Sequence, residues 1–328
     1  MSATDYTLEL ETAVEAVKQA AIVCQAVQKD IKNDVLEKDD KSPVTVADFA
    51  SQAIVCKIIG DKFKNDPVIG EEGSQELRLE KNSALLNSLV ERVNSVVTGA
   101  PAEDILGWID RGGQKEYTER FWTLDPIDGT KGFLRGDQYA ISLALIVKGE
   151  MVAGALCTPN LHVDLNDETS KKGVVLYAQK GGGTYRTTLD NDAPQKVTVS
   201  EVAKSSDIRV CESVEKAHSS HDDSFKIASA LKITANPVRI DSQAKYATVA
   251  TGQSDAYLRL PRDGKYREKI WDHAGGVITV TEAGGEVTDV FGKPLDFSKG
   301  YRLEENTGVI VSNKKVHKMI IDTIAELN

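Results

Sequence analysis

Phe121-Trp122-Thr123-Leu124-Asp125-Pro126-Ile127-Asp128-Gly129-Thr130-Lys131 is the stretch on which the reading of this chain turns. Phe121 to Leu124 are apolar or β-prone and predict a short buried strand. Pro126 has no N–H to give to a sheet ladder, so the strand is expected to stop at Asp125 and turn, with Asp128 in the same turn. Gly129 permits an unusual dihedral or a close backbone approach, and Thr130 adds a hydroxyl. Acids, free backbone groups and a hydroxyl gathered in one turn suit a hard divalent cation, which prefers oxygen ligands. Taken alone, the stretch also fits an Asp-Pro turn whose acids cap a following helix.

Other segments repeat the pattern. Pro67-Val68-Ile69-Gly70-Glu71-Glu72-Gly73 is again a short apolar strand that delivers acids into a Gly-rich turn. Val44-Thr45-Val46 reads as a short strand, and Asp48 follows it at the start of a helix that carries Ile54, Val55, Ile58 and Ile59 inward and ends near Gly60. Asp48 has an equal reading as a first-turn acid favoured by the helix dipole. Asp272 lies in Ile270-Trp271-Asp272-His273-Ala274-Gly275-Gly276, which opens a helix running to about Ala283.

Asp48, Glu71, Asp125, Asp128 and Asp272 thus all fall at a strand end or a helix start, where layered sheets place ligand sites. Convergence of these acids would raise their pKa values by mutual repulsion unless cations relieved it. An oxygen-rich, sulfur-poor set favours Mg²⁺ over zinc or copper. Mg²⁺ is usually completed by substrate phosphate, which points to phosphoryl chemistry. The chain carries no Walker A motif, protein-kinase loop or dinucleotide fingerprint, so water attacking a phosphomonoester is the economical reaction.

The remaining periodicities predict alternating helices and strands. Leu10, Val14, Val17, Ala21, Cys24 and Val27 mark an amphipathic helix over about 6–30, and a second apolar stripe marks one over about 80–98. A polar segment holding Gly99, Pro101, Gly112 and Gly113 leads into the central motif. Tyr139 to Val147 and Met151 to Leu156 read as an antiparallel hairpin too apolar to face water on either side, so helices should cover its sheet. The Gly181-Gly182-Gly183 run reads as a hairpin turn rather than a phosphate loop. Phe225, Ala228 and Leu231 mark a helix, Val238 to Ile240 a strand, Asp241-Ser242 the cap of a helix ending at Gly252, and Ala256 to Leu260 a strand carrying Arg259. This alternation implies a layered α/β (α+β) architecture. Pro159-Asn160 and the charged stretch after it suggest an N-terminal lobe over 1–160 with most of the metal ligands, and a C-terminal lobe over 161–328.

The 328 residues carry a net charge of −10. That acidity opposes polyanions, so neither nucleic acid nor an anionic membrane is expected as a partner. Cys24, Cys56, Cys157 and Cys211 have no paired spacing and read as reduced core thiols. The chain is expected to act in the cytoplasm, as a monomer, on a small molecule.

Gly70-Glu71-Glu72, Asp125-Pro126-Ile127-Asp128-Gly129-Thr130 and Trp271-Asp272-His273-Ala274-Gly275-Gly276, in that order, resemble the lithium-sensitive, magnesium-dependent phosphatases of the inositol monophosphatase superfamily. Lys131 to Gly136, Glu212 to His221, Asp241 to Tyr246 and Tyr257 to Pro261 make the chain most similar to the fungal and plant-type 3'(2'),5'-bisphosphate nucleotidases within it. The resemblance implies an α-β-α-β-α sandwich of the sugar-phosphatase type. It implies two or three Mg²⁺ ions held by Glu71, Asp125, Asp128, Asp272 and the carbonyl of Ile127, with inhibition by Li⁺. Asp48 and Thr130 would orient and deprotonate the attacking water, while Gly129 and Thr130 offer backbone N–H groups to the scissile phosphate. Asp272 also belongs to the substrate set, and His218, Ser242, Lys245 and Arg259 would meet the nucleotide. The implied reaction removes the 3'-phosphate of adenosine 3',5'-bisphosphate to give AMP, with 3'-phosphoadenosine 5'-phosphosulfate as a second substrate. The alternatives are an inositol polyphosphate 1-phosphatase and a non-catalytic nucleotide sensor.

Overall fold

The computed structural model describes residues 5–30, 35–37, 43–214, 221–261 and 266–327. Strands β1 (Val35–Glu37) and β2 (Pro43–Thr45) form a small antiparallel pair. Strands β3 (Val68–Gly70), β4 (Arg120–Asp128), β5 (Ala140–Val147), β6 (Glu150–His162), β7 (Lys172–Gln179), β8 (Gly183–Thr188) and β9 (Gln195–Val197) then lie side by side in chain order as a seven-stranded sheet. Only β3 against β4 is parallel; the other pairs are antiparallel. A second, five-stranded sheet is built from β10 (Val210–Glu212), β11 (Val238–Arg239), β12 (Ala256–Arg259), β13 (Glu286–Thr288) and β14 (Val309–Ser312), in the order β11-β10-β12-β14-β13.

The helices are α1 (Thr7–Asp30), α2 (Val46–Lys62), α3 (Ser83–Asn94), α4 (Ala102–Asp110), α5 (Thr130–Arg135), α6 (His221–Ala230), α7 (Ala244–Ala250), α8 (Ala274–Glu282) and α9 (His317–Leu327). Helices α1 and α2 cover one face of the large sheet, α7 and α8 lie between the two sheets, and α6 and α9 close the outer face of the small one. This is the α-β-α-β-α layering that the resemblance implies.

The period-2 alternation of strand side chains produces it. On β5, Ile141, Leu143 and Leu145 point to the core under α1 and α2, whereas Ala140, Ala144 and Ile146 point to the core under α7 and α8. On β12, Tyr257 faces that middle layer and Leu258 faces α6 and α9. Both faces of each sheet are therefore apolar, as the hairpin sequence requires.

Several expectations are corrected. Strand β4 does not stop at Asp125 but continues through Pro126 to Asp128, with a register irregularity between the two acids. The parallel pairing of β3 with β4 ends at Gly70 opposite Leu124, so past that point Pro126 meets no ladder partner on that side that needs its missing N–H. Val46 is the first residue of α2 and not the end of a strand, because Thr45 caps that helix. The segment between Gly99 and Gly113 contains α4, whose Ile105, Leu106 and Ile109 are buried; the glycines masked a short stripe. Phe225 on α6 is exposed, and Ile227 turns inward with Leu231. The division expected at residue 160 falls inside β6, and the chain leaves the large sheet only after Val197. All the cysteines are buried and unbridged. Among the described residues, no helix is long and apolar enough to cross a membrane.

Candidate active site

The ends of β3 and β4 and the start of α2 meet on the same side of the large sheet. The register that sets Gly70 opposite Leu124 leaves Glu71, just past β3, beside Asp125 within β4. Asp125 is buried, and its Oδ1 has no hydrogen-bond partner among the described residues. Burial first, then the neighbouring carboxylates of Glu71, Asp128, Asp272 and Asp48, push the Asp125 carboxyl well above the usual range. Asp272 is likewise pushed well up by burial, with Asp128, Glu268 and Glu71 adding to it and Arg259 opposing it. The acids singled out in the sequence therefore converge. An orphaned buried carboxylate oxygen among all-oxygen donors fits a hard divalent cation, which would supply the missing partner and offset the repulsion.

Asp48 caps its helix with one oxygen and faces Thr130 with the other. Its Oδ2 accepts from the Thr45 backbone N at 2.8 Å and from Thr45 Oγ1 at 2.7 Å, closing a capping box at the start of α2. Its Oδ1 is 3.5 Å from Thr130 Oγ1, which also lies 3.3 Å from the carbonyl of Ile127. The cap fixes the carboxylate from behind and turns its other oxygen to the threonine.

Asp128 and Gly129 face the C-terminal half of the chain. The Gln243 backbone N donates to Asp128 Oδ2 at 2.5 Å, and Gln243 Nε2 donates to the carbonyl of Trp271 at 3.0 Å. Burial pushes Asp128 up, opposed by the charges of Lys245 and Arg259. Gly129 holds φ 87°, a left-handed conformation, at the entry to α5. Lys245 is buried; its Nζ donates to the Ser242 carbonyl at 2.8 Å and lies 5.0 Å above the Tyr257 ring. Burial lowers its pKa, and Asp128 partly restores it. Ser242 has φ 65° and its Oγ accepts from the Ala244 N at 3.2 Å, so it bends the chain into α7 ahead of the helix itself. His218 lies outside the described residues.

The sequence reading missed the supports. Ser51 Oγ donates to the carbonyl of Pro126 at 2.8 Å and pins the bulge of β4. Arg135 pairs with Asp241, tying α5 to the Ser242 turn. Asp272 sits in a 3-10 turn, Ile270–Asp272, ahead of α8 and not in its first turn. A β-carbon at Gly276 would lie 2.3 Å from the Tyr246 ring, so that glycine lets α7 and α8 touch. Contacts of this kind depend on partners distant in sequence and leave no local pattern.

Oxygen and nitrogen atoms of Glu268, Asp272 and His273 lie within 4.8 Å of one another, as if to hold a metal. The Arg259 guanidinium already supplies positive charge there, with Nε 2.8 Å from Glu268 Oε2 and Nη2 3.8 Å from Asp272 Oδ2. Its Nε–H is not aimed at an acceptor, so the contact with Glu268 is ionic more than a well-directed hydrogen bond. Around Asp125, in contrast, the charged neighbours that act on the carboxyl are all acids. A separate cavity of about 50 Å³, lined by Val210, Ile227, Leu231, Leu258 and others, lies on the outer face of the small sheet among apolar side chains and away from these acids.

Known proteins match over almost the whole length. A 3'(2'),5'-bisphosphate nucleotidase of Schizosaccharomyces pombe is 43% identical, covering 98% of this chain and 96% of its own. A protein of the same name from Oryza sativa is 45% identical, with 98% and 96% covered. The solved inositol monophosphatase of Anabaena (Nostoc) superposes with a TM-score of 0.65 at 20% identity, covering 98% of this chain and 97% of that one, and so shares the fold. The sequence profile of the inositol monophosphatase family matches residues 5–328, and the chain belongs to that family.

Proposed function

We propose that the protein is a metal-dependent 3'(2'),5'-bisphosphate nucleotidase that removes the 3'-phosphate of adenosine 3',5'-bisphosphate, giving AMP and inorganic phosphate. It acts on 3'-phosphoadenosine 5'-phosphosulfate as well. Relatives of that name at 43% and 45% identity along nearly the whole chain support the activity class. The observation that carries the chemistry is the buried, partnerless Asp125 oxygen amid Glu71, Asp128 and Asp272.

In this reading Glu71, Asp125, Asp128, Asp272 and the Ile127 carbonyl hold two or three Mg²⁺ ions, and Li⁺ inhibits by replacing one. When bound, the ions supply Lewis acidity that lowers the pKa of water and offsets charge on the phosphate. Asp48, fixed by Thr45, takes the proton of the attacking water through Thr130. The new bond joins that water oxygen to phosphorus, the bond to the ribose oxygen breaks, and the leaving oxygen is protonated by solvent. Gly129 and Thr130 present backbone N–H groups to the scissile phosphate. Lys245 and Arg259 answer the second phosphate, with Ser242 and His218 as hydrogen-bonding groups.

The N-terminal part of the chain supplies Asp48 and most of the metal ligands, and the C-terminal part supplies Asp272 and the nucleotide contacts. Phosphate release from adenosine 3',5'-bisphosphate across a Mg²⁺ titration tests the proposal. Turnover that is indifferent to a chelator would sink the metal assignment.

A further inference from the structure

We propose that Glu268, itself held by His273 and Tyr246, is a positioning residue that fixes the Arg259 guanidinium beside Asp272 so that it can receive the second phosphate of the substrate. The role of Arg259 rests on the function proposed above; the part played by Glu268, His273 and Tyr246 comes from their geometry.

Arg259 closes β12 on the face that looks into the middle layer, where Tyr257 also points. A long side chain at the lip of an open cleft would sample many rotamers, and binding would have to freeze them. Glu268 removes that freedom. Its Oε2 forms an ionic contact with Arg259 Nε at 2.8 Å, while Nη2 lies 3.8 Å from Asp272 Oδ2. Glu268 lies just ahead of the 3-10 turn Ile270–Asp272 and Asp272 closes it, so a single short segment carries both acids that touch the arginine.

Glu268 is fixed in turn. His273 Nε2 is 3.3 Å from Glu268 Oε2, and Tyr246 OH is 2.7 Å from His273 Nδ1. Tyr246, His273 and Glu268 are all buried. A carboxylate can only accept, so His273 Nε2–H points to Glu268 Oε2, and the tautomer this sets leaves Nδ1 to accept from the Tyr246 hydroxyl. A chain of contacts from α7 to the head of α8 thus ends on one guanidinium. Without Glu268, Arg259 would lose the contact that fixes its guanidinium toward the second phosphate.

The test is a double-mutant cycle of Glu268→Gln and Arg259→Ala, read on adenosine 3',5'-bisphosphate and adenosine 3'-monophosphate. In the wild-type background Glu268→Gln should raise KM for the bisphosphate about tenfold while kcat stays within about threefold, as expected for a charged contact that acts on binding. KM for the monophosphate should barely move, and in the Arg259→Ala background Glu268→Gln should have no further effect on KM. Tyr246→Phe, which removes only the distant hydroxyl, should give the same KM-selective change at smaller size and serves if Glu268→Gln folds poorly. An undiminished Glu268→Gln or Tyr246→Phe effect in the Arg259→Ala background, or equal losses on both substrates, would overturn the proposal. If the wild type turns over a different bisphosphate, the function reading fails, and the same cycle on that substrate still decides the role of Glu268.

Discussion

Ser242 packs directly against Gly129: a β-carbon built on Gly129 would lie 2.8 Å from Ser242 Cβ. A residue of the acid-bearing turn and a residue just ahead of α7 are thus in contact, and only a missing side chain permits it. Both hold left-handed backbone, with φ 87° at Gly129 and φ 65° at Ser242.

Gly129→Ala should therefore be costly twice, through the left-handed conformation and through the clash. The expected loss is about 2–4 kcal/mol of stability, with turnover reduced at least about a hundredfold because the 128–130 turn is displaced. Thermal melting and steady-state kinetics check both. A variant with wild-type melting and activity would show that the two segments separate readily.

Asp125→Asn keeps shape but removes a buried charge that neighbouring acids oppose. In cation-free protein it should melt higher than wild type. The rise in melting temperature that Mg²⁺ gives the wild type should vanish, along with activity. A variant that melts lower without cation, or still responds to Mg²⁺, would contradict the cage around Asp125.

The raised carboxyls of Asp125 and Asp272 also set a pH dependence. A group whose pKa is raised on folding contributes stability that is complete below its unfolded value and is lost as pH rises through the folded one. Cation-free protein should thus gain stability from these groups as pH falls from neutral toward about 4. Saturating Mg²⁺ should flatten that slope, since protons and cations compete for the same oxygens. Melting curves with and without Mg²⁺ across this range give the comparison, and parallel slopes would count against it. Below about pH 4 the depressed Glu268, held down to about 2 against burial chiefly by Arg259, contributes the opposite sign, because its stability is lost as it protonates.

Lys245→Ala removes a buried ammonium anchored on the Ser242 carbonyl. The bisphosphate KM should rise about ten- to a hundredfold, as for loss of one charged contact, with a much smaller change for monophosphates. Equal losses on both would argue against a role for Lys245 at the second phosphate.

The acids could be read from the sequence because each marks a local event: Glu71 ends an apolar strand, Asp125 precedes a proline, and Asp272 follows a tryptophan before small residues. Asp48 was ambiguous for a physical reason, since one oxygen caps a helix while the other faces Thr130. The layers were legible from strands apolar on both faces. The course of β4 through Pro126 was not, because the bulge depends on Ser51, which lies far back in sequence. Helix α4 was hidden by the glycines around it, and the Arg259–Glu268–His273–Tyr246 chain by distances that only the folded middle layer brings together.

The most direct measurement compares inorganic phosphate released from adenosine 3',5'-bisphosphate and from inositol 1,4-bisphosphate by the same protein, with Mg²⁺ and with chelator. The account predicts Mg²⁺-dependent release with kcat/KM for the adenosine compound at least about tenfold higher, in line with one additional charged contact. A preference for the inositol compound, or no release from the adenosine compound, would contradict it.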